Sequence, residues 1–404
     1  MFNALPDPGT DPILRSALVF QQDPAPHKID MGIGIYKDDY GHAPVMASVK
    51  AAERRLVEEQ ETKAYLSGAG NAAFNEQVRG LLFPEAEGGK GSDAGARAVT
   101  IQTPGGTGAL RVAADFLRGQ APGAKVWIPA QSWPNHRHLF GTVGFRLAEY
   151  PWFDMAAGRL DFDRAMAAFH SVAPGDVVIL HGCCQNPTGA DPDAAQWGEI
   201  AQVLAQRAAL PIVDIAYQGL GDGLAEDARG LATICAALPE VIVASSCSKN
   251  FALYRERTGA LSFVGETRAA AEKASGHALH LARANYSMPP DHGAAVVAMV
   301  LSDPGLRALW SEELAGMRAR MGRIRAAFAA GLSEASGKDF GHIAHQKGLF
   351  ATVPLTAEMV ARLRAGPHIH ASATGRLNLA GLTAETVAPV AAAIGAELRE
   401  LTDA

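Results

Sequence analysis

Ala244-Ser-Ser-Cys-Ser-Lys-Asn-Phe-Ala-Leu-Tyr-Arg-Glu-Arg-Thr-Gly259 is the stretch from which the rest of the chain is read. An apolar run, Val241–Ala244, gives way to small residues and then to a single lysine, Lys249. In open α/β sheets the carboxyl ends of strands carry the ligand, so this pattern sets Lys249 where chemistry happens. A lysine there can lose its charge to desolvation and act as an amine nucleophile. The serines just before it, and Arg257 eight residues later, supply contacts for a phosphate. On this stretch alone a snorkelling surface lysine stays open as the alternative. Ser246-Cys-Ser-Lys249 also matches Ser-x-x-Lys, the nucleophile element of penicillin-binding proteins and β-lactamases. That element wants its serine at the start of a helix, with a Ser-Asp-Asn and a Lys-Thr-Gly elsewhere, and the chain has neither triplet.

Outward from this stretch, short β-branched runs alternate with longer helical ones. Strands are predicted at Val99–Gln102, Lys125–Pro129, Phe145–Tyr150, Asp176–His181, Ile212–Ile215, Val241–Ser245 and Ala260–Val264. Helical patterns over Gly108–Arg118, Trp197–Gln206 and Arg229–Leu238 separate several of them. The alternation predicts an α/β fold, a mostly parallel sheet covered by helices on both faces. After Pro304 one long helix is predicted from Leu306 to about Ser333, then strands at Leu349–Val353 and Leu377–Leu379 and a closing helix near Ala384–Glu400. Arginines 318, 320, 323 and 325 on the long helix share no single face and alternate with apolar residues, which predicts a solvated helix and no nucleic-acid stripe.

Composition excludes several classes. The 404 residues are 48% hydrophobic and 19% charged, enough for a large core and against disorder. The net charge of −6 supplies no basic field for nucleic acid or a membrane surface. Four cysteines, with no Cys-x-x-Cys, are too few for a disulfide scaffold and read as buried thiols. The chain shows no leader-like start and no uninterrupted apolar span, so a cytoplasmic protein is expected.

Other segments converge on an anionic aromatic ligand. Gln102-Thr-Pro-Gly-Gly-Thr-Gly-Ala-Leu110 follows a strand and opens a helix, where free N–H groups and the helix dipole suit a phosphate. Asp214-Ile-Ala-Tyr217 puts an acid and a phenol at a strand end, and Asn186-Pro-Thr-Gly189 a free amide at another. Trp133, in Ser132-Trp-Pro-Asn-His136, can stack on a planar ring. Each also reads as plain turn or core; their joint placement at consecutive strand ends does not. His342-Ile-Ala-His345 and His368-Ile-His370 have no carboxylate or cysteine nearby to complete a metal set and are expected to be satisfied or exposed imidazoles.

Taken together, these residues closely resemble class I (fold type I) pyridoxal-phosphate aminotransferases, specifically the aspartate and aromatic amino-acid group. The carriers are Ile33-Gly-Ile-Tyr-Lys-Asp38, Pro104-Gly-Gly-Thr-Gly-Ala-Leu110, Ser132-Trp-Pro-Asn-His136, His181-Gly-Cys-Cys-Gln-Asn-Pro-Thr-Gly189, Asp214-Ile-Ala-Tyr-Gln-Gly219, Ser245-Ser-Cys-Ser-Lys-Asn-Phe251, Arg283-Ala-Asn-Tyr-Ser287 and Gly375-Arg-Leu-Asn378. The resemblance implies a large cofactor-binding domain over 44–305 and a small domain from 1–43 with 306–404. It implies pyridoxal 5'-phosphate held on Lys249 as a Schiff base, with Asp214 on the ring nitrogen, Tyr217 and Asn186 on the phenolic oxygen and Trp133 stacked on the ring. Gly106, Thr107, Ser246, Ser248 and Arg257 would grip the phosphate, joined by Tyr65 of the partner subunit in a homodimer. Arg376 would clamp the substrate α-carboxylate, Arg283 of the partner subunit the side-chain carboxylate, and Gly34, Trp133 and Asn186 would line the substrate. The implied reaction is ping-pong transfer of an amino group from aspartate, tyrosine or phenylalanine to 2-oxoglutarate. A β-lyase, a decarboxylase or a non-catalytic cofactor-binding regulator are the alternatives.

Four positions depart from the family pattern. Gln185 stands for a histidine, Met288 for asparagine or serine, Ala64 for a common asparagine and Thr374 for serine. They flank the substrate or support the cofactor, so they bear on specificity, and less polar residues there imply wider tolerance for aromatic substrates.

Overall fold

Seven runs rich in Val, Ile and Leu become one sheet: β1 (Ala98–Pro104), β2 (Lys125–Pro129), β3 (Arg146–Tyr150), β4 (Val177–His181), β5 (Leu210–Ile215), β6 (Val241–Ser246) and β7 (Thr258–Val264). Their order is β1-β7-β6-β5-β4-β2-β3. Every neighbouring pair is parallel except those of β7, which runs against both β1 and β6. β4, β6 and β7 are buried at every position, which is why they are near-continuous apolar runs without polar alternation. Helix Gly105–Gln120 lays Leu110, Ala113 and Leu117 into the sheet core, and helix Arg268–Tyr286 adds Ala271, Ala278 and Ala282. The computed structural model describes residues 2–5, 12–84 and 93–400. The predicted strands form within a few residues of their expected ends, while helices Ala47–Glu59, Ala72–Leu82, Arg268–Tyr286 and His292–Ser302 are additional.

The described chain divides into two units. The larger holds 44–84, 93–186 and 190–320; the smaller holds the described residues up to Ala43, Pro187–Gly189 and 321–400. Helix Pro304–Ser336 gives its residues up to Arg320 to the larger unit. There Trp310 is fully buried and stacks on Phe251, with ring centroids 4.5 Å apart and 10° between planes. Its indole N–H donates to the Asn250 carbonyl at 2.8 Å, so the segment after Lys249 is pinned by both a stack and a hydrogen bond.

The smaller unit has its own core, with Phe328, Leu332, Ile343, Leu377, Val390 and Ile394 all inaccessible to solvent except for traces. Two short pairings frame it: Ile29–Asp30 parallel to Ile369–His370, and Phe350–Thr352 antiparallel to Arg376–Asn378. The carboxylate that no sequence neighbour supplied to His368 and His370 comes from Asp23, which meets His368 Nδ1 at 3.0 Å and His370 Nε2 at 2.7 Å. Among the described residues no helix is long and apolar enough to cross a membrane.

The solvated reading of the long helix fails at its arginines. Arg320 and Arg325 are 5% and 3% exposed, and Arg318 donates to the Gly219 carbonyl at 2.7 Å; only Arg323 stands in solvent. For Arg318 and Arg325 the reason is the partner: their guanidinium groups are taken up by main-chain oxygens, which carry no signature in composition or periodicity.

Candidate active site

In the larger unit the strand register itself assembles a row. His181 on β4 lies opposite Asp214 on β5, which lies opposite Ala244 on β6, so the carboxyl ends of three adjacent strands are level. A cavity of about 200 Å³ opens over these ends, lined by Gly106, Thr107, Trp133, Asn186, Asp214, Tyr217, Ser246, Ser248, Lys249 and Arg257. All ten were expected from sequence. Leu110, His181 and Ala216 complete the lining and were not.

One end of the cavity is built for an anion. β1 turns directly into helix Gly105–Gln120, whose first turn has no side-chain cap. Gly105 sits at φ +70°, a conformation that favours glycine, and a Cβ there would lie 2.7 Å from Arg257 Nη2 and displace that guanidinium. Ser246 Oγ donates to Ser248 Oγ at 3.0 Å on the facing strand end. Uncapped amides, a helix dipole, two hydroxyls and one guanidinium match a phosphate dianion. Arg257 reaches this place because β7 is reversed: the residue before its start meets residues at the end of β6, with Gly259 opposite Ser246. Ala252 and Arg257 hold φ +53° and +52° in the connecting segment, a strain of about 1 kcal/mol each.

The other end carries a buried acid. Asp214 is 7% exposed and accepts from His136 Nε2 at 3.0 Å. His136 Nδ1 meets Ser132 Oγ at 2.8 Å, and that hydroxyl meets His181 Nε2 at 3.2 Å, giving a relay of four side chains. Burial pushes the Asp214 carboxyl up, but the His136 hydrogen bond, with the charges of His136, His181 and Lys249, outweighs it and holds the group below the usual carboxylate range. Burial, with His136 alongside, pulls His181 down to about 3, so it stays neutral. His136 is placed by the helix that Trp133 precedes, Pro134–Thr142, where the His136 amide donates to the Trp133 carbonyl. An acid read in isolation gave no cue that a histidine would be its partner.

Between the two ends stand the reactive side chains. The Lys249 ammonium lies over the Tyr217 ring, 5.1 Å from its centroid. The loop after Tyr217 is fixed by Asp227, whose carboxylate accepts from the amides of Gly219, Gly221 and Asp222 at 2.7–2.9 Å. Asn186 follows a tight turn in which Cys184 holds φ +51° and Asp191 accepts from the Cys184 and Gln185 amides. Gln185 turns away from the cavity and donates to the Gln131 carbonyl at 2.6 Å. Asn186 Oδ1 is buried with no partner among the described residues, although it lines the cavity. Buried amides are rarely left so, and swapping the two ends of the amide would put a donor in the same place. The residues therefore fit a planar, phosphorylated pyridine: a phosphate cradle, a buried anion, an amide and a phenol on the cavity wall, and an amine.

Four expected residues lie elsewhere. Tyr65 is 93% exposed, and Arg283 is exposed in the last turn of helix Arg268–Tyr286. Gly34 and Arg376 belong to the smaller unit, where the Arg376 guanidinium lies 4.6 Å from the Phe350 ring centroid and donates to the Gly32 carbonyl at 2.6 Å.

Residues 26–394 match the family model of class I and II aminotransferases. The chain belongs to that family. It is 46% identical to the aspartate aminotransferase of Escherichia coli (strain K12) over 401 residues, covering 98% of this chain and 100% of that one. It is 42% identical to the aromatic-amino-acid aminotransferase of Pseudomonas aeruginosa, covering 95% and 96%. Among solved structures, the aromatic-amino-acid aminotransferase from Burkholderia pseudomallei, covalently bound to pyridoxal phosphate, superposes with a TM-score of 0.93 at 40% identity, covering 98% of this chain and 99% of that one. This aminotransferase accordingly has the fold type I architecture that its motifs implied, and it is an enzyme of the aspartate and aromatic group.

Proposed function

We propose that the enzyme uses pyridoxal 5'-phosphate to move the amino group of aspartate, tyrosine or phenylalanine to 2-oxoglutarate by a ping-pong route. The observation that carries this reading is the single cavity in which Lys249, Asp214, Tyr217 and Asn186 stand next to an uncapped helix start with Ser246, Ser248 and Arg257. When bound, the pyridoxal group supplies an electron sink for the pair left behind when an amino acid loses its Cα proton.

The protein's part follows from its side chains. Gly106, Thr107, Ser246, Ser248 and Arg257 hold the phosphate, and Trp133 covers the ring. Asp214, its carboxyl held ionised by His136, would keep a bound ring nitrogen protonated. Tyr217 and Asn186 donate to the phenolic oxygen. Lys249 would be the amine that takes the Cα proton as a general base and gives it back as a general acid, on one flexible arm. Arg376 binds the α-carboxylate through paired N–H donors, near Gly34. Arg283 and Tyr65 of the partner subunit complete the site in a homodimer, which accounts for a tyrosine and an arginine that stand exposed and outside the cavity described above. The large domain of 44–305 would carry the cofactor, and the small domain, from both chain ends, the α-carboxylate arm. Four free, buried cysteines suit a reducing cytoplasm.

Ala64 and Met288 widen the side-chain pocket toward aromatic donors. Met288 is already engaged, its sulfur accepting from the Leu66 amide at 3.0 Å. The test is kcat/KM for aspartate, tyrosine and phenylalanine, each with 2-oxoglutarate. Glutamate and the matching oxo acid are the expected products; ammonia or carbon dioxide in their place, or no product, overturns the reading.

A further inference from the structure

Arg325 is the side chain that the reaction leaves unused and the sequence misread. It is 3% exposed and donates to four main-chain oxygens of one loop: Ile343 at 3.4 Å, Lys347 at 3.0 Å, Gly348 at 2.7 Å and Phe350 at 2.5 Å. Three of these oxygens share the two hydrogens of Nη2 and the fourth faces Nη1, an arrangement that uses both arms of the planar guanidinium. The loop has little regular structure to hold it otherwise, being a 3-10 turn over Gly341–His345 followed by a three-residue strand.

What the loop holds gives the arginine its meaning. Its last oxygen acceptor, Phe350, puts a ring beneath the Arg376 guanidinium, and the same ring leaves no room for a Cβ on Gly34, which would lie 2.5 Å from Cζ. Phe350 and Thr352 pair with Asn378 and Arg376, so the loop sets the register of the strand that bears Arg376. On its other side the Lys347 amide donates to Gly189 at 2.8 Å, and the Thr352 hydroxyl to Pro187 at 2.9 Å. These are the residues directly after Asn186. One cation thus sits behind the two turns that end in Arg376 and begin after Asn186.

We propose that Arg325 is a positioning residue for substrate carboxylate binding, acting through residues 343–350 on the Phe350 ring and, through it, on Arg376. The inference rests on the role given to Arg376 above. The probe is 3-phenylpropionate, a carboxylate with no amine to react, titrated calorimetrically into the cofactor-loaded holoenzyme. In Arg325→Met its affinity is expected to fall about tenfold, with KM for amino and oxo acids rising alike and kcat within about threefold. Arg325→Lys keeps the buried charge but not the fork, and gives a smaller loss in the same direction where the methionine variant does not fold. Leu332→Ala, in the core of the same unit, is the control for loss of stability alone; it should lower Tm without moving the affinity. Wild-type affinity in both Arg325 variants, while Arg376→Lys abolishes binding, overturns the inference and leaves the proposed function standing. An equal loss in Leu332→Ala also overturns it. Undiminished binding in Arg376→Lys overturns the proposed role of Arg376 and this inference with it.

Discussion

At the ends of β4, β5 and β6, His181, Asp214 and Ala244 stand level because three buried strands are in register; Arg376, by contrast, lies on a strand of three residues whose partner is steadied by side chains. In the first region the sheet is the ruler. The strand ends are set by backbone hydrogen bonds, and side chains such as Asp227, Asp191 and Trp310 hold only the turns that follow them. In the second region individual contacts do the work: Arg325 on four oxygens, Phe350 under a guanidinium, Gly34 making room. A substitution in the first should therefore remove a chemical step and spare the geometry, whereas one in the second should spare the chemistry and loosen binding.

The largest break expected is Lys249→Ala. Steady-state kcat should fall by at least about 10⁴-fold, with far-ultraviolet circular dichroism and Tm little changed, because the strand end survives without its amine. Ordinary turnover would remove Lys249 from the mechanism. Next, Asp214→Asn should cost about 10²–10³-fold in kcat, the range for losing one well-placed electrostatic partner. His136→Asn sharpens the same point with a pH signature. Asp214 loses the hydrogen bond that offsets its burial, so its carboxyl rises and the acid limb of the kcat/KM profile moves to higher pH. An unmoved limb would mean that the relay does not govern Asp214. In the second region Gly34→Ala should push the Phe350 ring and raise KM about fivefold, leaving kcat nearly intact. A drop confined to kcat would erase the contrast.

The smallest effect concerns stability. Burial pushes Asp191 up to about 6, against the pull of the Gln185 and Cys184 amides. A raised carboxyl stabilises the fold fully below its ordinary range near 3.8, and that contribution is lost as pH rises through about 6. Denaturant midpoints of Asp191→Asn should therefore vary less than wild type between these values.

How far the sequence reveals each region follows the same division. Strand runs such as Val177–His181 and Val241–Ser246 are apolar until their last one or two residues, and the chemistry begins at those polar ends, so the cavity lining was legible. The helix start at Gly105 announces itself by three glycines and a threonine. His136 and His181 were on the page but unassigned, since a relay is defined by side-chain distances and not by spacing. Arg318 and Arg325 were misread because alternation with Ala, Met and Ile predicts a wet face only when no carbonyl waits beneath it. Asp23 and its two imidazoles are separated by more than three hundred positions, beyond any local pattern.

The reversed strand has a consequence for how this enzyme can change. Because β7 turns back beside β6, the segment 247–257 leaves the sheet and returns to it at neighbouring points, with the Cys247 amide bonded to the Thr258 carbonyl at 3.0 Å. Lys249 and Arg257 are carried together on this closed excursion, clipped to the fold by Phe251 on Trp310. The excursion therefore carries both anchors as one unit, its two ends fixed at adjacent points of the sheet. A single inserted residue inside it would change the span between the reactive amine and the anion cradle while leaving the sheet untouched.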